Sequence, residues 1–459
     1  MFWGILFINV SKNSLDNPNP NLKQKTIKRT AVTEEIMTKI AFITHGCTNN
    51  FAESELMAGM LKKAGFAVAK KEEADIIILN ICTVKGEKTA LDAIEDAKKL
   101  GKKIILAGCI PQESYTQFRE ALPDSCFVST HNIKDIVSIV EEARNDSVVD
   151  DIAFKNEVKL GERLRGNPAV GIIPILSGCT NSCSYCSVKL IKGNLLSYPE
   201  QEIMKEAKKA IDEGCKELWI TSMDNSCYGL DNGKAALPEL VKKIANFPGN
   251  FKIRIGMMNP KNLIKFADEM IEAYKNEKVF KFLHVPVQSG NNEILKAMNR
   301  GYTAEEFLSV IKKFESAIPN LTISTDIICG FPGETEEQFN DTVKLVSKLK
   351  PDVLNISRFV ARKGTKAEAM ENQVHGNITK ERSRILTSRH DNIGKMKNER
   401  WMGWQGPAIV DEKNPDGTFV ARNYAYKPIL INSSKDIFNK IVHVKVKKTQ
   451  SHYLTGEII

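Results

Sequence analysis

The sequence predicts an α/β chain in three parts: an N-terminal open parallel α/β domain, a central partial (β/α)6 barrel and a small C-terminal β-barrel. Three observations predict it. Short apolar runs alternate with amphipathic stretches between residues 38 and 145. A second, longer series of the same alternation starts at 169. Beyond 401 the pattern changes to short strands separated by turns such as NPDG. Strands alternating with helices imply a parallel sheet covered on both faces, and closely spaced short strands imply a barrel.

Residues 1–36 carry NPNPN and scattered Lys without a sustained period, and read as a flexible leader; Met37, just before the first strand, is an alternative translation start. In the first domain, 37–145, KIAFIT (39–44), ADIIILN (74–80) and KKIILAG (102–108) read as strands. SELMAGMLKKAG (54–65) and KTALDAIEDAKKLG (88–101) read as helices. Residues 146–168 are polar, charged and weakly patterned, as expected of a linker. In the core barrel, 169–375, six strands are predicted: VGIIPIL (170–176), KELWITS (216–222), FKIRIGM (251–257), FLHVPVQ (282–288), LTISTDII (321–328) and VLNISRF (353–359). Six right-handed βα units make an open barrel, short of a closed eightfold one. A basic helical connector, 376–400, leads to the β-module, 401–459.

Composition excludes several classes. The 459 residues are 42% hydrophobic and 26% charged, which rules out a disordered chain or a fibre. The net charge of +9 favours polyanionic partners weakly. No apolar run is long enough to span a membrane. Ten cysteines without a secretory signal point to a reducing, cytoplasmic setting, where Cys more often binds metal or does chemistry.

The strongest local signal is GCTNSCSYCSV, with Cys179, Cys183 and Cys186 in the loop after the barrel's first strand. Barrel active sites sit at the C-terminal ends of strands. A structural zinc wants four ligands, and no fourth Cys or His lies nearby in sequence. Three thiolates suit a 4Fe–4S cluster with one iron open to a ligand. A second constellation is Cys47, Cys82 and Cys109, each within three residues of the C-terminal end of a predicted strand. In an open parallel sheet those ends form one rim, where ligands bind. The three cysteines should therefore converge on a second cluster. Cys126, Cys215, Cys227 and Cys329 show no cluster spacing and read as ordinary thiols, Cys227 being the one whose loop faces the site.

CTNSCSYC resembles the radical S-adenosylmethionine (SAM) signature, with Tyr185 at its aromatic position. That resemblance implies that the open iron chelates SAM and that the reduced cluster splits it to a 5′-deoxyadenosyl radical. Together with the rim cysteines and a C-terminal module resembling the TRAM RNA-binding fold, residues 38–459 resemble the methylthiotransferase family. NICTVKG (80–86), MNP (258–260), HVPVQSG (284–290) and TDIICGFPGE (325–334) are most similar to its archaeal and eukaryotic branch. The resemblance implies two 4Fe–4S clusters, SAM as both methyl donor and radical source, tRNA as partner, and a reducing electron donor such as flavodoxin or ferredoxin. The implied reaction is methylthiolation of the adenine C2 of N6-threonylcarbamoyladenosine at position 37 of tRNA. Isopentenyladenosine in tRNA, an aspartate of a ribosomal protein, or a non-catalytic iron–sulfur RNA sensor are the alternatives.

Further site candidates are less specific. Ser222 and Asp224 follow the second barrel strand, where the resemblance implies polar groups near SAM, and Arg254 lies on the third. His284 and Gln288 fit ligand contact and a structural role equally. Gly330 and Gly333, in GFPGE with Glu334, allow close approach of backbone to adenine or simply a tight turn. Met298 and Arg300 match a family motif whose role the sequence does not give. In the β-module eight Lys or Arg face five acidic residues. Arg422, Tyr424, Tyr426, Lys445 and Lys447 are the RNA-contact candidates, the tyrosines through stacking on unpaired bases.

Overall fold

A computed structural model describes residues 37–459. The expected leader, 1–36, lies outside the described residues.

The N-terminal sheet is parallel and six-stranded, in the order Ala67–Val68, Lys39–His45, Ile76–Cys82, Lys103–Cys109, Cys126–Ser129, Asp150–Asp151. Its central strand, IIILNIC, is buried throughout. Alternate residues feed two separate apolar clusters, Ile76 and Ile78 on one face, Ile77 and Leu79 on the other. Leu56, Met57 and Val140 cover the first face, and Ile94 and Phe118 the second. Three of the six strands escape the sequence pattern because they are only two to four residues long.

The first helix runs Thr48–Lys63, six residues earlier than its apolar pattern suggests. The Cys47 N–H donates to Asn50 Oδ1 at 3.1 Å, closing a capping box. Its first turns look polar yet are buried: Asn50, Glu53, Ser54 and Glu55 all lie inside. Their partners come partly from residues 146–168, which are no solvated tether. Lys159 reaches Glu53 at 2.9 Å, Arg163 reaches Glu206 at 3.0 Å, and Leu160 enters the barrel core.

The central barrel consists of two three-stranded parallel sheets. One joins Val170–Pro174, Glu217–Thr221 and Lys252–Ile255; the other joins Phe282–His284, Thr322–Cys329 and Val353–Arg358. A parallel bridge between Ile253 and Val279 links the halves. Among the described strands the first and sixth do not pair, so the barrel is open on that side.

After the helix Gly376–Glu399, five strands close a barrel in the order Gln405–Lys413, Phe419–Arg422, Pro428–Ile431, Leu454–Ile458, Ile441–Thr449. Its Ile409 and Tyr426 share one apolar cluster with Val170, Ile172, Trp219, Phe280 and Phe282 of the central barrel. The module therefore seats at the N-terminal ends of the barrel strands, opposite the cysteine loop.

Candidate metal centres and the cavity between them

The loop of Cys179, Cys183 and Cys186 starts at Gly178, whose φ of +72° and contact with the Asn194 carbonyl leave no room for a side chain. Donors aim at its sulfurs. Asn181 offers its backbone N–H and its Nδ2 to Cys179 Sγ at 3.4 and 3.5 Å. Arg300 donates to Cys183 Sγ at 3.2 Å and to the Tyr185 hydroxyl at 3.3 Å, while its other guanidinium nitrogens hold Tyr302 and the Pro286 carbonyl. The Ser184 N–H donates to the Met298 carbonyl at 3.1 Å. The 297–302 segment thus buckles the loop from outside, the role that the sequence left blank for Met298 and Arg300. Burial pushes the Cys186 thiol up to about 12, so it binds as thiolate only with a cation to compensate.

Cys227 departs from its reading as an ordinary thiol. It is fully buried, and its sulfur, Cys179 Sγ and an Asp224 oxygen lie within 4.8 Å of one another. Its hydrogen bond to Cys179 pulls the Cys179 thiol below its usual value and raises its own. Asp224 is a hub behind the loop, accepting from Asn181 Nδ2 at 2.9 Å and from the backbone N–H groups of Ser226 and Asn259, each at 3.0 Å. Ser222 donates to Asn225 Oδ1 at 2.8 Å. Both Ser222 and Asp224 are satisfied within the protein.

The other triad forms as the topology predicts. Cys82 and Cys109 end neighbouring strands in direct register, and Cys47 caps the helix that follows the strand on their other side. Gly108, at φ +117°, lets that strand turn against the Ile81 carbonyl. Asn50 lies among the sulfurs, with Cys47 Sγ 3.4 Å from its Oδ1 and Cys109 Sγ 3.8 Å from its Nδ2. Hydrogen bonding from Cys82 lowers the Cys109 thiol, the Cys82 thiol rises in return, and burial raises Cys47. Each triad gathers three buried or half-buried sulfurs with polar donors around them. That donor set fits a three-thiolate iron–sulfur group.

A cavity of about 640 Å³ opens between the two triads, with Cys47 on one wall and Cys186 and Tyr185 on another. Of the sequence candidates it also brings in Arg254, His284 and Gln288. Arg254 lies over the rings of Trp219, Phe282 and Tyr426 at 5.1 to 5.3 Å. His284 Nε2 meets both oxygens of Asp326 at 3.1 Å, and Asn355 donates to the same carboxylate at 2.6 Å. Asp326, inside a predicted strand, was the missed member of this wall; a carboxylate in a barrel strand was its signal. Gln288 holds a φ of +77°, a strained conformation pinned by its bonds to the Asp326 carbonyl and the Ile328 N–H.

Other candidates lie elsewhere. Gly330 faces Thr379 of the connector helix, and its N–H donates to Glu334, which Arg382 holds at 2.7 Å. Gly333, at φ +79°, completes the turn. The GFPGE glycines shape a clamp between loop and helix, and neither lines the cavity. The stacking role expected of Tyr424 and Tyr426 gives way to interior contacts. Tyr426 is 9% exposed and packs edge-on to Phe280, while Tyr424 sits against Trp401 and Trp404. Arg422 is committed to Asp411 at 3.2 Å. Lys445 is half-buried on its strand, and Lys447 is exposed beside Glu457.

The open six-stranded barrel and its cysteine loop define a radical SAM protein. Residues 173–346 match the Radical SAM superfamily, 39–129 an uncharacterized protein family, UPF0004, and 407–459 the TRAM domain. TsrM from Kitasatospora setae, a radical S-adenosylmethionine methyltransferase solved with cobalamin and a [4Fe-4S] cluster, superposes with a TM-score of 0.51 at 13% identity. The match covers 69% of this chain and 73% of that one, and the likeness is one of fold. A probable threonylcarbamoyladenosine tRNA methylthiotransferase of Archaeoglobus fulgidus is 38% identical over 428 residues, 92% of this chain and 98% of its own length. That of Pyrococcus horikoshii is 39% identical over 430 residues, covering 92% and 100%. The Drosophila melanogaster threonylcarbamoyladenosine tRNA methylthiotransferase is 34% identical, covering 92% and 78%. The chain belongs to the threonylcarbamoyladenosine tRNA methylthiotransferase family.

Proposed function

We propose that this protein methylthiolates the adenine C2 of N6-threonylcarbamoyladenosine at position 37 of tRNA, with a 4Fe–4S cluster on Cys179, Cys183 and Cys186 and a second on Cys47, Cys82 and Cys109. The observation that carries this reading is the single cavity with Cys47 on one wall and Cys186 on another. A carbon activated near one triad can meet sulfur held at the other without leaving the chamber. The adenine C2–H offers neither an acidic proton nor a leaving group, so acid–base groups have little purchase on it. When bound, the loop cluster and SAM supply the one-electron chemistry that removes such a hydrogen atom.

The chain's own residues position and enclose. Arg300, Asn181 and Cys227 orient the loop sulfurs. Trp219, Phe51 and Ile172 give the chamber apolar walls against which a purine can lie. His284, Asp326, Asn355 and Gln288 give it a polar wall that can read a base edge or SAM. Arg254 adds a cation for a carboxylate, and the modified nucleoside and SAM both carry one. Outside, Lys447 and Lys448 of the module and Lys380, Arg384, Arg389 and Lys395 of the connector helix are exposed, an electrostatic footing for tRNA. No described helix is long and apolar enough to cross a membrane. Electrons come from a reducing partner such as flavodoxin or ferredoxin, in the cytoplasm.

Nucleoside mass spectrometry of tRNA tests the proposal. Cells lacking their own methylthiotransferases should gain 2-methylthio-N6-threonylcarbamoyladenosine when this gene is expressed. Methylthiolated isopentenyladenosine instead would move the substrate, and an unchanged tRNA profile with cluster-loaded protein present would overturn the assignment.

A further inference from the structure

A surplus cation is buried behind the rim cysteines. Lys159 and Lys192 approach the same Glu53 oxygen at 2.9 and 2.8 Å, and both ammonium groups also meet the Thr130 hydroxyl. All three charged side chains are 4 to 6% exposed. Two ammonium groups on one carboxylate leave one positive charge over. A buried, uncompensated charge is strongly disfavoured, so such a charge is retained where an anion faces it. Thr130, which both ammonium groups meet, donates its N–H to the Gly108 carbonyl at 2.9 Å, one residue before Cys109.

The local fold explains how Lys192 arrives there. Its short helix, Val188–Lys192, begins two residues after Cys186. Ile191 packs on Cys82 and Cys109, and the His131 ring sits 2.6 Å from the Ile191 carbonyl. The segment that leaves the loop triad therefore docks directly onto the rim triad and delivers an ammonium beneath it. An oxidised 4Fe–4S core is doubly positive, so on three thiolates it carries one net negative charge, which matches the one surplus ammonium.

We propose that Lys192 is a positioning residue for the rim cluster: its charge balances the cluster that Cys47, Cys82 and Cys109 hold and keeps that cluster easier to reduce. The proposal rests on the reading of those three cysteines as ligands. A positive neighbour favours the more negative, reduced state, so removing it lowers the potential.

The test uses the full chain with Cys179, Cys183 and Cys186 changed to Ala, which isolates the rim site. After anaerobic reconstitution, iron and sulfide are counted and the cluster is titrated potentiometrically by electron paramagnetic resonance. In this background K192M should lower the reduced-to-oxidised ratio at fixed potential about tenfold, equivalent to about 59 mV for a one-electron couple. K192R should keep the parent ratio. E53Q, which removes the opposing charge, should move the ratio upward. Opposite signs for K192M and E53Q mark an electrostatic effect, since a packing defect moves both the same way. Where K192M does not load iron, an upward ratio in E53Q with the parent ratio in K192R supports the role, and a parent or lowered ratio in E53Q overturns it. A loaded K192M with the parent potential overturns the role of Lys192 and leaves the rim reading standing. A parent that binds no iron with Lys192 intact overturns both.

Discussion

In the loop triad, three sulfurs come from eight consecutive residues; in the rim triad they come from strand ends spread over 63 residues. The loop is held by side chains that hydrogen-bond to sulfur, from Asn181, Arg300 and Cys227. The rim is held by strand register, Cys82 beside Cys109, and Lys192 reaches Thr130, which is bonded to the Gly108 carbonyl next to Cys109. Both triads have donors at their sulfurs. The loop's cation, Arg300, bonds a sulfur directly, and Asp224 lies within 4.8 Å of Cys179. The rim's ammonium groups instead meet their carboxylate, Glu53, and the Thr130 hydroxyl. Two sites with the same ligand count are thus poised by different physics, as befits different tasks. In the function proposed above, the loop site presents its cluster to a small ligand and the rim site holds sulfur beside the same chamber.

The largest effect should come from the loop. Replacing Cys179, Cys183 or Cys186 with Ala should abolish deoxyadenosine release, while iron at the rim persists; normal release from any of the three would erase the distinction between the sites. Next, Ala at Cys47, Cys82 and Cys109 together should leave SAM cleavage intact and remove the methylthio product, measured by mass spectrometry of the nucleoside. A smaller effect tests the donors at the loop. Arg300→Gln should weaken metal retention or activity about tenfold, as loss of groups orienting metal ligands usually does. Arg300→Lys should recover part of it, read from the rate at which a chelator strips the loop iron.

The smallest effect concerns the frame that both sites share. Burial pushes the Glu55 carboxyl up to about 7, despite Arg165 nearby. A carboxyl raised on folding contributes its full stability below the unfolded value near 4.3 and loses it as pH climbs through 7. Glu55→Gln should therefore flatten the fall in Tm between pH 5 and 8, by an amount on the order of 2 kcal/mol at the upper end. An unchanged slope would show that Glu55 is ionised and paired across that range.

The sequence exposes whatever is periodic or contiguous. Six barrel strands, five module strands and the Cys179–Cys186 spacing announce themselves in that way. The rim triad is legible one step further on, because parallel strand ends must share an edge. What stays hidden depends on contacts between distant segments. Glu53, Lys159 and Lys192 look like three separate surface charges until the fold buries them together. Arg300 is 114 residues from the end of the loop that it clasps. The tyrosines of the module misled for the same reason. Aromatic residues among basic ones suit stacking on bases, and they suit an apolar seam equally well; Tyr426 belongs to the seam.

That seam reaches further than its area suggests. Asp352, fully buried in the barrel, gathers Lys397 at 3.1 Å, Arg400 at 3.2 Å and Lys427 at 2.9 Å, tying connector and module to the strand that closes the sixth unit. Phe280, Phe282 and Arg254 rest on Tyr426 from the other side. A chain cut short before residue 401 is therefore not a catalyst without its handle. It loses the ring on which Arg254 rests and the apolar backing of Trp219 and Ile172, and the lesion belongs with those of the cavity itself.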